Sequence, residues 1–253
     1  MLEEKKQTNE NRQKESPDFF SYENLKSLAI LLLIIFAIRS SITSPYHVPT
    51  SSMEPTIKVG DRLLAWKLSY DLKFPFTDFS LLKLGDIKRG DIIVFRYPKD
   101  PSIDYVKRAV GLPGDKIKII DDVIYINSIP QKRINFDHNR KILEDIKDDS
   151  TYKNLYKETL HGIEHWTMNI DENWRPPSRR NWPEGDGYYT VPKDSYFVLG
   201  DNRDNSLDSR EWRCVPKKYV KGKAKVVLWS MYTTDDAWWK PIFRFTRFGH
   251  ILK

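Results

Sequence analysis

Three stretches of this 253-residue chain carry residue types that could do chemistry. The first is Pro49-Thr-Ser-Ser-Met-Glu-Pro55, with three consecutive hydroxyls between two prolines. Each proline pushes the residue before it, Val48 or Glu54, towards an extended backbone, so the segment is stiff and presents its hydroxyls in a fixed geometry. It reads either as a turn or as the seat of a nucleophile, and composition does not choose between Ser51 and Ser52. The second is Asp104-Tyr-Val-Lys-Arg-Ala-Val-Gly111. Read as a strand, it puts Tyr105, Lys107 and Ala109 on one face and Val106, Arg108 and Val110 on the other. Lys107 is then either a solvated lysine or a desolvated one whose neutral amine can serve as a general base. The third is Gly200-Asp-Asn-Arg-Asp-Asn-Ser-Leu-Asp-Ser-Arg210. It fails as a calcium loop, because counting from Asp201 puts Arg203 third and Ser206 where glycine is required at the sixth position. Three Asp, two Arg and two Asn can instead form an ion-paired network rigid enough to hold neighbouring catalytic groups.

Elements to position these groups follow from the pattern around them. From Ser44 onward the chain breaks into short β-like runs: Asp91-Ile-Ile-Val-Phe-Arg96, Lys116-Ile-Lys-Ile-Ile120, Val123-Ile-Tyr-Ile126, Ser195-Tyr-Phe-Val-Leu199 and Lys223-Ala-Lys-Val-Val-Leu-Trp229. Gly-Asp pairs at 60, 85, 90, 114 and 200 supply turns. Many short strands with such punctuation predict an all-β barrel or sandwich. Residues 127–189 differ. They are polar, with the charged run Lys141-Ile-Leu-Glu-Asp-Ile-Lys-Asp-Asp149 and the pair Pro176-Pro177, and their strand signal is thin. They are expected to be an insertion, with the β core resuming at Tyr188-Tyr-Thr-Val-Pro192. From Trp229 to Phe248 the chain carries seven aromatics with Lys240, Arg244 and Arg247, which suits either a membrane headgroup region or aromatic core packing.

Upstream, Leu28-Ala-Ile-Leu-Leu-Leu-Ile-Ile-Phe-Ala-Ile38 is an unbroken apolar run, and Leu25 to Ile42 extends it to eighteen residues that include Lys26 and Arg39. A membrane helix wants about 20 residues, and Lys26 and Arg39 can snorkel from its ends. A cleaved signal peptide and a buried core helix are the alternatives. Basic residues at 5, 6, 12, 14 and 26 favour a cytoplasmic N-terminus.

Composition is that of a globular protein: 40% hydrophobic, 30% charged, with eight Trp and thirteen Tyr. The single cysteine, Cys214, excludes an intramolecular disulfide framework and any metal site needing two cysteines. The net charge of +7 suits an anionic membrane surface or nucleic acid. A membrane-tethered basic binding module without catalysis is therefore an alternative reading. His161-Gly-Ile-Glu-His165 fits the H-x-x-E-H pattern of zinc peptidases, but the pair must lie on a helix, and glycine there costs about 1 kcal/mol. A Ser-His-Asp triad would need one of five histidines, and His47 is the one near Ser52.

Together, Ser52-Met53-x-Pro55, Tyr-Val-Lys107-Arg-Ala-Val-Gly-Leu-Pro-Gly-Asp and Gly-Asp-Asn-Arg-Asp-Asn-Ser-x-Asp-Ser-Arg resemble the signature boxes of bacterial type I signal peptidases, with gaps, from about Ala37 to Trp229. The resemblance implies Ser52 as nucleophile, Lys107 as general base, and Ser206 hydrogen-bonded to the lysine amine. It implies an oxyanion hole from the Ser52 N–H and the Thr50 hydroxyl, and supporting ion pairs from Arg108, Asp201, Asp208 and Arg210. No cofactor or metal is implied. The expected fold is mainly β: a small β-barrel-like catalytic core with an inserted variable domain, preceded by one N-terminal transmembrane helix. The expected divisions are a cytoplasmic tail (1–24), the anchor (25–44), the first part of the core (45–126), the insertion (127–189), and the second part of the core with a membrane-proximal aromatic tail (190–253). The expected setting is the bacterial cytoplasmic membrane, single-pass, with the catalytic part on the outer, periplasmic face. The implied partners are signal-peptide-bearing preproteins bound as extended strands beside Pro45–Val48 and Asp104–Val106, membrane lipid, and a neighbouring export translocase, with no nucleic acid. Preproteins would be cut after small residues in an Ala-x-Ala pattern.

Overall fold

The computed structural model describes residues 21–75, 77, 79–136, 140–146, 150–171, 173, 181–233 and 239–252. The N-terminal tail through residue 20, Lys147–Asp149, the Pro176-Pro177 pair and Trp238 lie outside the described residues. The chain divides into two compact units, Met1–Arg39 and Ser40–Lys253.

Helix α1 (Tyr22–Ile42) begins at Ser21, whose hydroxyl accepts the Asn24 N–H at 3.3 Å. Glu23 in its first turn and Arg39 in its last complement the helix dipole. At 1.5 Å per residue its 21 residues reach about 32 Å, enough for a hydrocarbon core of about 30 Å. Between Lys26 and Arg39 the helix is apolar on every side, and the large side chains described there are about half exposed. By length and composition it is a candidate membrane span.

The second unit is built from antiparallel strands: β1 (Thr43–His47), β2 (Asp61–Trp66), β3 (Asp71–Lys73), β4 (Ser80–Lys83), β5 (Ile92–Tyr97), β6 (Asp100–Gly111), β7 (Lys116–Ile120), β8 (Val123–Ile126), β9 (Ile129–Pro130), β10 (Lys132–Asn135), β11 (Lys153–Leu160), β12 (Ile163–Ile170), β13 (Tyr189–Thr190), β14 (Ser195–Leu199), β15 (Val215–Pro216), β16 (Val220–Tyr232) and β17 (Ile242–Phe243). A four-residue helix, α2 (Ser209–Trp212), leads into β15. The main sheet runs β1-β2-β16-β5-β6-β14-β15, with β17 added to β16. Its centre is buried on both faces. Ile92 and Val94 of β5 enter one core with Met53, Ile57, Leu63 and Val227; Ile93 and Phe95 enter another with Ala109, Val198 and Trp212. This is the period-two alternation of a central strand.

The expectation of a barrel-like core is met only in part. The sheet is mainly β but its path is open, ending at β1 and β15. Two of the edges without a strand partner among the described residues lie at one place: the outer edge of β1, and the edge of β6 opposite β5 before Arg108, where β14 begins to pair. Both border the cleft described below.

Residues 127–189 hold more strand than their polar composition suggested. Strands β11 and β12, eight residues each, form a hairpin, and β10 pairs with β11. The sequence concealed it because polar residues share the inward-facing positions with apolar ones. Lys153, Leu155, Glu158 and Leu160 are the buried positions of β11, and Glu158 is paired inside.

Candidate active site

The serine-bearing segment is a compact turn between β1 and β2. The Glu54 N–H bonds the Ser51 carbonyl at 3.0 Å, Ile57 bonds Met53 at 2.9 Å, and Gly60 bonds Val48 at 2.9 Å. Met53 and Ile57 are fully buried in the first core and pin the turn from beneath. Gly60 has φ of +89°, and a Cβ there would stand 2.1 Å from the Met231 carbonyl oxygen, so both conformation and space require glycine.

Lys107 comes to this turn from β6. Its side chain shares a face with Tyr105, and Nζ lies 5.3 Å from the centre of that ring. Nζ is 2.6 Å from Ser52 Oγ and 3.0 Å from the Val106 carbonyl oxygen. The lysine is 4% exposed. Burial pushes its pKa down to about 8; Asp208 and Asp201 pull it up, and Arg210 pushes it down further. This is the desolvated alternative of the sequence reading, and it leaves a sizeable neutral fraction near neutral pH.

The third segment packs against both. The Asn202 N–H donates to the Ser52 carbonyl at 3.1 Å, Asn202 Nδ2 to the Ser51 carbonyl at 3.2 Å, and Asn205 Nδ2 to Ser51 Oγ at 2.9 Å. Gly200 makes this approach possible. A Cβ on it would stand 2.5 Å from the Ser52 carbonyl oxygen and 2.2 Å from Ser206 Oγ. Asp201 receives Arg108 through two bonds of 2.9 and 2.8 Å and the Thr56 hydroxyl at 2.5 Å. Burial opposes the Asp201 charge, but Arg108 overrides it and holds the carboxyl below its usual range. Asp208 is likewise buried and held low by Arg210, which donates to it at 2.9 and 2.8 Å. The same carboxylate accepts the Gly200 N–H at 3.0 Å, so this pair fixes the loop's backbone.

Ser206 departs from expectation. Its buried Oγ makes no hydrogen bond to Lys107; the hydroxyl lies against Gly200 and turns to the Asp208 carboxylate, whose charge it helps to favour. Asn205 and Leu207 line the cleft over the dyad, and Ser206 also lines a second cavity with Arg203, Arg210 and Arg213. Thr50 Oγ1 lies 3.5 Å from Ser52 Oγ. The Ser52 N–H makes no hydrogen bond among the described residues, leaving a donor available beside the hydroxyl.

The sequence reading overlooked Thr56, Asn202, Asn205 and Glu158. Glu158 of β11 grips Arg203 with bonds of 2.8 and 2.6 Å, while the Met168 N–H of β12 donates to the Asp201 carbonyl at 2.9 Å. The hairpin thus buttresses the loop from behind. His161 and His165 belong to this hairpin and not to a helix. His161 sits exposed at the turn with φ of +49°, and His165 is buried 3.3 Å from Glu158. A strand-and-turn pair cannot place two imidazoles on one helical face, so the zinc pattern fails. No metal-binding cluster occurs among the described residues.

The cleft over the dyad has a volume of about 340 Å³ and lies between Tyr46–Ser52 and Ile103–Lys107. Its walls are the two unpaired strand edges, with Leu63, Val94 and Leu207 supplying apolar surface. A serine hydroxyl against a buried, partly neutral amine, next to a free backbone N–H and below an edge that can hold an extended chain, has the parts for acyl transfer from a peptide.

Comparison with known proteins agrees with this chemistry. Residues 21–229 match the family model described as "Signal peptidase, peptidase S26", and the chain belongs to that family. Among its relatives, the signal peptidase I of Buchnera aphidicola subsp. Acyrthosiphon pisum is 38% identical over 261 residues, covering 90% of this chain and 82% of the relative. That of Pseudomonas fluorescens is 37% identical over 218 residues, covering 81% and 71%. A crystal structure of a signal peptidase I from Enterococcus faecalis V583 is 28% identical, with a TM-score of 0.33, covering 55% of this chain and 96% of that one.

Proposed function

We propose that this chain is a membrane-anchored serine endopeptidase that removes signal peptides from exported preproteins with Ser52 as nucleophile and Lys107 as general base. The observation that carries the assignment of roles is the 2.6 Å separation of Ser52 Oγ from an amine whose pKa burial lowers to about 8. Neutral Lys107 takes the Ser52 proton as Oγ attacks the scissile carbonyl carbon. The Ser52 N–H and Thr50 hydroxyl receive the oxyanion. Collapse breaks the C–N bond, and the Lys107 ammonium gives its proton to the leaving amine of the mature protein. Water then attacks the ester, Lys107 takes that water's proton, and collapse releases the signal-peptide carboxylate and restores the Ser52 hydroxyl. Asp201–Arg108 and Asp208–Arg210 fix the loop and the charge environment of the lysine, and Ser206 acts as a positioning residue within it.

An extended substrate seated between the β1 and β6 edges would bond both and complete a barrel-like closure that the free sheet lacks. Its side chains alternate, so the residue before the scissile bond and the one two further upstream face the enzyme while the middle one faces away. Small side chains at those positions keep the scissile bond in register with Ser52, giving the Ala-x-Ala pattern. Residues 1–24 form a cytoplasmic tail, 25–44 the anchor, 45–126 and 190–253 the catalytic core, and 127–189 an inserted domain. Helix α1 spans the bacterial cytoplasmic membrane once, with the catalytic part on the outer, periplasmic face near the export translocase. The exposed Trp239, Phe245, Phe248 and Ile251 of the C-terminal segment meet lipid. The test is incubation of the detergent-solubilised protein with a preprotein and sequencing of the new N-terminus. Cleavage after Ala-x-Ala, lost when the first-position Ala becomes Leu but kept when it becomes Ser, is the expected result. Efficient cutting after Leu would overturn the pocket assignment.

A further inference from the structure

The turn that carries Ser52 is closed by groups from the far end of the chain. A single 3-10 turn, Phe245–Arg247, turns Phe245 outward while its flanking arginines reach in. Arg247 donates to Asp61 Oδ1 at 3.0 Å through Nε and to Asp61 Oδ2 at 2.5 Å through a terminal nitrogen. The same terminal nitrogen donates to the Thr56 carbonyl at 3.0 Å. Asp61 is fully buried and also accepts the Lys58 N–H at 2.9 Å. Arg244 donates to the Val59 carbonyl at 2.8 Å. Two guanidinium groups therefore hold the carbonyls of 56 and 59 in the turn that carries Ser52 and the carboxylate of 61 where β2 begins. Thr56 is at the same time bonded through its hydroxyl to Asp201, whose other partner is Arg108, the neighbour of Lys107.

We propose that Arg247 is a positioning residue for catalysis: by bridging Asp61 and the Thr56 carbonyl it sets the conformation of the nucleophile turn and keeps Ser52 in reach of Lys107. The inference rests on the assignment of Ser52 and Lys107 as the dyad. A buried ion pair is weak evidence for stability, since apolar replacements of both partners are often neutral or better. What this pair does secure is geometry. Its planar fork meets a carboxylate and a carbonyl at once, which a lysine cannot do. A loosening that let Ser52 Oγ drift by about 1 Å would take it from 2.6 Å to beyond hydrogen-bond range of the amine, and such a misplacement can cost about 100-fold in rate.

The experiment uses the full chain in detergent micelles with a preprotein substrate, comparing Arg247→Gln, Arg247→Lys and the double variant Asp61→Asn/Arg247→Gln. Melting temperature, kcat and KM are measured for each, below the lowest melting temperature of the series. Arg247→Lys keeps a charge against Asp61 and is expected to melt near the wild type, yet to lose at least tenfold in kcat with KM within threefold. The double variant removes both charges of the Asp61–Arg247 pair, so it is the folded stand-in if Arg247→Gln does not fold, and it too should lose tenfold or more in kcat. The acid limb of its pH profile should stay at the wild-type position, because Arg247 does not set the lysine's environment. Wild-type kcat in Arg247→Lys or in the double variant, or a kcat that simply follows melting temperature, would overturn the proposal. Failure of the dyad assignment reads differently: Ser52→Ala would then cleave as well as the wild type in the same assay.

Discussion

If Lys107 is the base, the rate of cleavage must follow the titration of its amine. The perturbation is pH, and the size of the response comes from the burial of this one group. With a pKa of about 8, roughly 9% of the amine is neutral at pH 7, half at pH 8 and about 90% at pH 9. The kcat/KM for a preprotein should therefore rise about tenfold from pH 7 to pH 9 along a single-proton limb, then level off. The same shift has a signature in stability. The folded pKa lies below the ordinary lysine value of 10.5, so the unfolded chain binds more protons between those two values. Unfolding free energy should rise with pH across that window and gain nothing further above it. Holding the amine at about 8 in place of 10.5 amounts to roughly 3 kcal/mol of destabilisation at neutral pH. Lys107→Met removes that destabilisation. Its stability relative to the wild type should thus fall by about 3 kcal/mol between pH 7 and pH 10.5, read from urea melts at both pH values. Initial rates on a fluorogenic signal-peptide substrate in detergent give the activity limb. A limb below pH 6.5 would point to His47, which lines the same cleft and whose pKa burial lowers. A profile flat from pH 6 to 9, or a limb near 10.5, would refute the desolvated-base argument.

Ser206→Ala should lower kcat by a smaller factor than either dyad substitution, about three- to thirtyfold, because its hydroxyl packs against Gly200 and bonds neither dyad member; a loss as complete as that of Lys107→Ala in the preprotein assay would assign it a proton-transfer role. Phe245→Ser/Phe248→Ser should weaken binding of a chain starting at Ser40 to vesicles of mixed anionic and zwitterionic lipid, measured by co-sedimentation, while leaving its cleavage of a soluble peptide within twofold; unchanged sedimentation would remove the lipid role of the C-terminal segment.

The parts of this site legible in the sequence are those where chemistry is concentrated in short stretches. The hydroxyls of Thr50–Ser52, the lysine flanked by Tyr105 and Ala109, and the polar run from Gly200 to Arg210 announce themselves by type and spacing, and the structure brings all three together around Ser52. Alternation along β6 also foretold that Lys107 shares a face with Tyr105. The open edges of the main sheet were not legible, because closure depends on how the strand ends meet and not on any strand's own pattern. The hairpin β11–β12 was hidden for a different reason: Glu158 faces inward because Arg203, 45 residues away, waits for it, and periodicity scored on hydrophobicity counts such a position as solvent. Arg247 sits 186 residues from Asp61, in a segment whose aromatics drew attention to its outer face. The partner of Ser206 was not legible, because the path of an irregular loop, and not its composition, decides whether that hydroxyl meets Lys107 or Asp208.

The central claim is that Ser52 and Lys107 act as one catalytic unit on preproteins. Its most direct test compares the wild type, Ser52→Ala, Lys107→Ala and the double variant in detergent with one preprotein, with the products mapped by mass spectrometry. The account predicts a single new N-terminus from the wild type, loss of at least about 10³-fold in rate for each single variant, and no further loss in the double variant, with all four proteins folded. Cleavage at the same bond by folded Ser52→Ala or Lys107→Ala at a rate near that of the wild type would contradict it.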